Sequence, residues 1–287
     1  MPLLIARSAG DRPWHTADFG GIVPDRLRHL GTADVAAQTI VVDGRAGRLG
    51  DWCAIAGDAA DGSIECRGDF RAVHRLAAGM EGGTVAVHGP VGNHAGAAMA
   101  GGRLLVHGDA GDWLAAGMTG GEVIVTGDAG DLVGAAPPGA RDGMRGGRVL
   151  VGGNAGRLAA SRLRRGVVAI GGTCGPGAAF ELRAGTLLAT RVTRDAAVGM
   201  ARGSVVVLEP DDPEACPAPG FRRGACWQPP WLPLLAVSLP PSWGWCARRL
   251  QRGAWRQWHG DPLSGGRGEL WLPARVDEHP DDRHAPG

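Results

Sequence analysis

Three arginines, Arg145, Arg164 and Arg183, follow one another at intervals of nineteen residues, and two histidines, His88 and His107, share that interval. If the fold sets such positions side by side, each set becomes a row of one functional group. Guanidinium groups one strand spacing apart, roughly 5 Å, repel unless anions lie between them, and each can grip a carboxylate through two parallel hydrogen bonds. Arg141, Arg162, Arg165 and Arg202 lie nearby and add to the charge. The expectation is a carboxylate-binding row on Arg145, Arg164 and Arg183; the alternative is arginines splayed into water. His88 and His107, with His94 close by, raise the question of a metal. Zinc takes three or four converging ligands, and the next position in the histidine series is Thr126, so no metal site is expected. HExxH, GxSxG, a phosphate-binding loop and a dinucleotide fingerprint are absent from the sequence. The six cysteines, Cys53, Cys66, Cys174, Cys216, Cys226 and Cys246, include no CxxC pair, which argues against iron–sulfur or structural zinc ligation. No catalytic residue is expected in this chain.

The elements that must position these rows repeat. The copies read GMEGGTVAVHGPVG, AMAGGRLLVHGDAG, GMTGGEVIVTGDAG, GMRGGRVLVGGNAG, RLRRGVVAIGGTCG, ELRAGTLLATRVTR and GMARGSVVVLE, aligned on Met80, Met99, Met118, Met144, Leu163, Leu182 and Met200. By subtraction the spacings are 19, 19, 26, 19, 19 and 18. In each copy a glycine opens a short β-rich run whose alternate residues, such as Val123 and Val125, point to one side. The run ends at a second glycine and a turn, Gly108–Gly111, Gly127–Gly130 or Gly153–Gly156. There, glycine is expected to supply positive φ and Asp or Asn to cap its own turn. Self-similarity at this period marks stacked repeats. Glycine at this density rules out an α-solenoid. Nineteen is not divisible by six, which excludes the hexapeptide helix, and one Asp per copy excludes the calcium-binding nonapeptide array. The expected fold is all-β, a right-handed parallel β-helix that is single-stranded, with about 19 residues per coil.

A β-helix of this kind has an outer face, and the residues expected there are apolar: Ala86, Leu105, Ile124, Leu150, Ala169, Leu188 and Val206. A stripe of several hundred Å² marks a docking surface, so Leu105, Ile124, Leu150, Leu188 and Val206 are the expected interface with a partner protein of a larger assembly. The alternative is a cover supplied by the chain itself. Residues 1–56 lack the repeat and are expected to cap one end. Residues 57–210 form the repeats, with an imperfect early copy at Asp61–Gly68. Residues 211–287 form a Pro- and Trp-rich extension holding seven of the ten tryptophans, with a helix expected to include Trp243–Trp258 and a disordered tail from Pro273.

The formal net charge of +1 excludes the basic footprint of a nucleic-acid-binding protein. The first residues lack a charged and apolar leader, and Trp231–Trp243 is too short and proline-broken to span a bilayer, so a cytoplasmic protein is expected.

The GM-x-GG-x-V-x-V-x-G-x-A-G copies, about half the chain, resemble the GXGXG family. That domain occurs in the glutamate synthase large subunit, in the C subunit of formylmethanofuran dehydrogenases, and in the C subunit of the related formyltransferase/hydrolase complex. The segment Gly260–Leu270, GDPLSGGRGEL, is similar to the ending of the last of these. The sixth copy departs by losing its glycine turn, and Leu163 and Leu182 replace the usual Met. The resemblance implies a non-catalytic structural subunit of a complex in one-carbon metabolism. The hydrolase and formyltransferase partners would move formyl between tetrahydromethanopterin and methylofuran and release formate. It leaves open the C subunit of a molybdenum- or tungsten-dependent CO2-reducing formylmethanofuran dehydrogenase, or a glutamate-synthase-type spacer. It also implies an occupant for the arginine row, since methylofuran carries a glutamate-rich tail; acidic residues of a partner subunit would serve equally. No cofactor is expected to be bound by this chain alone.

Overall fold

The computed structural model describes residues 2–7, 14–214, 216, 218 and 220–274. The strands are β1 (Leu3–Ala6), β2 (Ala17–Asp18), β3 (Thr39–Val42), β4 (Arg45–Arg48), β5 (Ala54–Ala56), β6 (Ser63–Arg67), β7 (Val73–His74), β8 (Thr84–His88), β9 (Arg103–Val106) and β10 (Glu122–Val125). They continue with β11 (Arg148–Val151), β12 (Val167–Cys174), β13 (Thr186–Val192), β14 (Arg202–Val207), β15 (Arg222–Trp227), β16 (Trp255–His259) and β17 (Arg267–Pro273). Short helices α1 (Pro24–Leu27) and α2 (Thr32–Ala36) lie near the start, and α3 (Trp231–Ser238) and α4 (Gly244–Leu250) near the end.

The chain is mainly β, but the architecture is not the expected right-handed parallel β-helix with one strand per coil. The strands form a 13-stranded mixed sheet, in the order β15-β16-β17-β14-β13-β12-β11-β10-β9-β8-β6-β1-β5, and a 4-stranded sheet, β4-β3-β2-β7. The physical reason lies in the segments that do not repeat. A parallel neighbour needs a crossover of a dozen or more residues, and a repeat of nineteen supplies it. The repeats therefore make the parallel middle, β6 and β8–β14. The non-repeating ends add antiparallel margins, β5 on β1, and β15 and β17 on β16.

Within the parallel middle, like positions of successive repeats face one another. Val85, Leu104, Val123, Val149, Val168, Leu187 and Val205 form one buried row, and Val87, Val106, Val125, Val151, Ile170, Ala189 and Val207 a second. The aligned Met80, Met99, Met118, Met144, Leu163, Leu182 and Met200 are all fully buried beside them. Leucine therefore substitutes for methionine without leaving the core. A second row of parallel bridges joins Phe70, Val91, Ala110, Ala129, Ala155 and Cys174.

The turns are held differently from the expectation. Asp and Asn do not cap their own turns; each accepts the backbone N–H of the next repeat. Asp128 N–H donates to Asp109 Oδ1 at 2.9 Å, Asn154 N–H to Asp128 Oδ1 at 2.6 Å and Thr173 N–H to Asn154 Oδ1 at 2.9 Å. A parallel series runs from His74 Nδ1 through Asn93, Asp112 and Asp131 to Arg157. The turn glycines follow from this. Gly130 is not left-handed; it is required because a Cβ there would lie 2.1 Å from Asp112 Oδ1. Positive φ belongs instead to the glycine that opens the strand, as at Gly121 with φ +86°.

The repeat does not stop at β14. β17 pairs with it in parallel, Gly203 opposite Gly268 and Val205 opposite Leu270, so Gly268-Glu269-Leu270-Trp271-Leu272 is a further copy of the strand grammar. At the other end, β6 sets Ile64 opposite Val85 and Cys66 opposite Val87, and Phe19 packs edge-on against Phe70 at 6.2 Å. The expected helix over Trp243–Trp258 is corrected: α4 ends at Leu250, and Trp255–His259 is strand β16. Left-handed Gly253 breaks the chain between them. Trp255, Arg256, Gln257 and Trp258 are all buried, a pattern that fits a strand covered on both faces. The expected disordered tail began at Pro273, but Pro273 ends β17 opposite Trp255 and Ala274 N–H donates to the Ala254 carbonyl; the rest of that expectation, residues 275–287, lies outside the described residues.

Candidate functional site

The backbone sets the three arginines in adjacent rows. Arg145 N–H donates to the Met118 carbonyl at 2.7 Å, Arg164 N–H to Met144 at 2.9 Å and Arg183 N–H to Leu163 at 3.0 Å. Each side chain leaves the core one residue after a buried Met or Leu, so the row lies at the rim of the repeats. Arg145 and Arg164 are exposed, and no ion pair among the described residues holds them. Arg183 is already engaged: its Nε lies 3.3 Å from Asp142 Oδ1, with both side chains about three-quarters buried. Arg162 Nε likewise pairs with Glu181 Oε2 at 2.8 Å. The expected three-membered row thus presents two open guanidinium groups and one neutralised one. Sequence reasoning missed Asp142. Its signal was the interval of 26 between Met118 and Met144, where the other intervals are 18 or 19. The added residues carry Asp142 to Arg183.

The histidines stack as rows too, but they do not converge. The His88 and His107 rings lie 5.2 Å apart and nearly parallel, at 12°, on the exposed edge of β8 and beside β9. Rings stacked face to face run their nitrogens alongside each other rather than toward one point. His94 stacks on Trp113 at 5.8 Å instead; burial, with His74 and Arg75 adding repulsion, lowers its pKa below the usual imidazole range. Among the described residues, no three His, Cys, Asp or Glu side chains gather to hold a metal.

The expected interface divides in two. Leu150, Leu188 and Val206 are fully buried, together with Ala169, under Leu232, Ala236, Trp243, Cys246, Leu250, Trp255 and Trp271 of the C-terminal part. For these three residues a partner interface is corrected: the chain covers them itself. Trp231 and Trp271 meet edge-on at 5.9 Å within that cover. Arg148 fastens it, donating to the Ser238 carbonyl at the end of α3 and pairing with Glu122, which also holds Arg103 at 2.8 Å. Ile124 only touches the edge of the cover, and Leu105 and Ala86 remain half-buried.

A cavity of about 510 Å³ beside the sixth copy is lined by Val192, Thr193, Arg194, Asp211, Asp212 and Cys216 among others. Burial pushes the Cys174 and Cys246 thiols up to about 12, and burial, with Cys53 alongside, raises Cys66. Because the thiolate is the reactive form, iodoacetamide at pH 8 is expected to leave Cys66, Cys174 and Cys246 unmodified in the native protein and to alkylate them in urea. Peptide mass spectrometry of both samples checks this; native alkylation of Cys174 at the unfolded rate would refute it. No helix among the described residues is long and apolar enough to cross a membrane.

A solved structure aligns over nearly the whole chain. It is a chain of the X-ray crystal structure of the formyltransferase/hydrolase complex (FhcABCD) from Methylorubrum extorquens in complex with methylofuran, 30% identical with a TM-score of 0.82. The alignment covers 95% of this chain and 100% of that one. This chain belongs to the family of that formyltransferase/hydrolase chain. No protein-family model and no curated protein matches it. Coverage at both ends means that family membership extends to the C-terminal cover and the added strand β17 as well as to the repeats.

Proposed function

We propose that this chain is the C subunit, a non-catalytic structural component, of a cytoplasmic formyltransferase/hydrolase complex in one-carbon metabolism. The observation that carries this reading is the end-to-end match to a chain of such a complex at 30% identity. The rows of the repeat support the structural role. They consist of buried aliphatic side chains and backbone hydrogen bonds, a rigid body suited to fixing a distance between hydrolase and formyltransferase subunits that would transfer formyl between tetrahydromethanopterin and methylofuran and release formate. Affinity purification of the tagged full chain from its own cells, followed by mass spectrometry, tests the assignment. Stoichiometric recovery of hydrolase and formyltransferase subunits is expected; recovery of molybdopterin and iron–sulfur subunits instead, or of no partner, would refute it. The purified chain alone should show no formyl-transfer or hydrolase turnover, and turnover would refute the non-catalytic role.

Within that complex, Arg145, Arg164 and Arg183 are proposed to receive carboxylates, from a glutamate-rich methylofuran tail or from an acidic partner surface. Arg145 and Arg164 supply the open guanidinium groups and Arg183, through Asp142, orders the edge of the row. The triple change to Gln is expected to leave folding intact and to weaken tail retention or subunit affinity by roughly 2–3 kcal/mol, the scale of one or two charge-assisted hydrogen bonds. The difference should shrink as salt rises, since exposed charges are screened within about 8 Å at physiological ionic strength. Cofactor content and salt-dependent dissociation of the purified complex are the measurements; no change in either returns these arginines to solvent.

A further inference from the structure

We propose that His74 is a proton-operated latch: its neutral imidazole ties the small N-terminal sheet to the repeats, and acid opens that joint. The inference stands apart from the complex-subunit reading, since it rests on bonds within this chain. β7, which ends at His74, is a strand through which the four-stranded sheet meets the next repeat. On one side it pairs in parallel with β2, Asp18 opposite His74, and Phe19 N–H donates to the His74 carbonyl at 3.0 Å. On the other, Gly92 N–H donates to the Val73 carbonyl at 3.0 Å and Arg75 N–H to the Asn93 carbonyl at 2.9 Å. The His74 ring closes the joint by accepting Asn93 N–H on Nδ1 at 3.0 Å. Gly92 leaves room for the ring, since a Cβ there would lie 2.8 Å from Nδ1.

The later repeats show what sets this place apart. Asn93, Asp112 and Asp131 occupy it in turn, and each uses Oδ1 to accept an N–H of the following repeat, at 3.0, 2.8 and 2.7 Å. An amide or carboxylate oxygen accepts throughout the neutral range, whereas an imidazole nitrogen accepts only while it carries no proton. Once the ring is protonated both nitrogens are donors, so Nδ1–H faces Asn93 N–H and that backbone donor loses its partner. The added charge also enters a cationic setting. His94 lies in the next repeat, stacked on Trp113. Its pKa is held below the usual imidazole range by burial, then by repulsion from His74 and Arg75, against the attraction of Asp112 and Asp18. Both carboxylates are already engaged: Asp18 Oδ1 receives Arg75 Nε and Gly20 N–H, each at 2.8 Å, and Asp112 Oδ1 receives Asp131 N–H. The sign follows from proton counting. Below the ordinary imidazole value of about 6.5 the unfolded chain takes up protons that this joint resists. The joint therefore keeps its full stability above that value and loses it as pH falls further.

Hydrogen exchange of the full chain, read by mass spectrometry at about pH 7.5 and about pH 5.5 on either side of the imidazole range and corrected for the intrinsic pH dependence of exchange, tests the latch. Peptides covering Ala17–Phe19, His74–Arg75 and Asn93 are expected to exchange roughly tenfold faster at the lower pH, the scale of one lost hydrogen bond, while β10–β12 keep their protection. His74→Asn supplies the oxygen that Asn93 supplies one repeat later, and is expected to hold the joint closed at both pH values. Should it fail to fold, His74→Asp takes its place, as Asp112 and Asp131 fill the position in later repeats. His74→Phe, with no acceptor, is expected to leave the joint open at both. Exposed His88 and His107 remain in every variant, so a general effect of histidine charge would survive the change at position 74. Three results would each overturn the latch: wild type equally protected at both pH values, a His74→Asn or His74→Asp chain that loosens in acid as wild type does, or a His74→Phe chain as protected as wild type at neutral pH.

Discussion

Val125→Asp is expected to abolish the folded state, while Thr126→Asp, one residue further, is expected to be silent. Val125 is 1% exposed and stands between Val106 and Val151 in the buried rows, while Thr126 faces water. A carboxylate at position 125 loses the apolar contacts of a fully packed valine and has no basic group or hydrogen-bond donor to receive it. The combined loss is roughly 4 kcal/mol or more, in the range reserved for unpaired buried charges. A domain has only about 5–15 kcal/mol to lose. The damage is also shared, because each row rests on the rows before and after it. Urea unfolding followed by circular dichroism decides the matter: a cooperative transition at the wild-type midpoint for Val125→Asp would mean that the aliphatic rows do not hold the molecule together.

Gly130→Ala should be nearly as harmful, for a different reason. Its Cβ would lie 2.1 Å from Asp112 Oδ1 and 2.8 Å from the Asp112 nitrogen. The carboxylate oxygen is the acceptor for Asp131 N–H at 2.8 Å, so it cannot retreat without breaking the link between two repeats. Overpacking of about 1–3 kcal/mol and loss of a charged hydrogen bond of roughly 1.5–3 kcal/mol add to an expected loss of about 3–4 kcal/mol. The two residues should therefore be coupled. In Asp112→Ala the offending oxygen is gone, so Gly130→Ala should then destabilise less, with a coupling of about 1–2 kcal/mol in a double-mutant cycle. Additive effects of the two changes would show that the glycine is there for another purpose.

These two positions also divide what could be read from the chain from what could not. Alternation is local: Val123 and Val125 must share a face in any strand, so the buried rows and the alignment on Met80 to Met200 were legible in the residues themselves. The interval of nineteen likewise foretold that Arg145, Arg164 and Arg183 would lie in successive rows, and their backbone hydrogen bonds bear this out. The reason for the turn glycines was not legible. A Gly-Asp-Ala-Gly turn read alone points to positive φ and a self-cap, whereas the oxygen that excludes a Cβ at Gly130 comes from eighteen residues earlier.

The larger corrections share that cause. Periodicity specifies how one repeat meets the next, and says nothing about the segments that do not repeat. The antiparallel strands β5, β15 and β16, which make the large sheet mixed, come from those segments. So does the α3–α4 cover that turns Leu150, Leu188 and Val206 from expected interface into core. Asp142 pairs with Arg183 only because inserted residues carry it across two rows. Local periodicity by itself determined the β-rich repeats, their buried faces and the arginine row, because strand alternation and repeat length are properties of neighbouring residues. Only the tertiary structure decided which outward residues stay outside and which charges stay open, because burial and ion pairing depend on what distant, non-repeating segments bring against them.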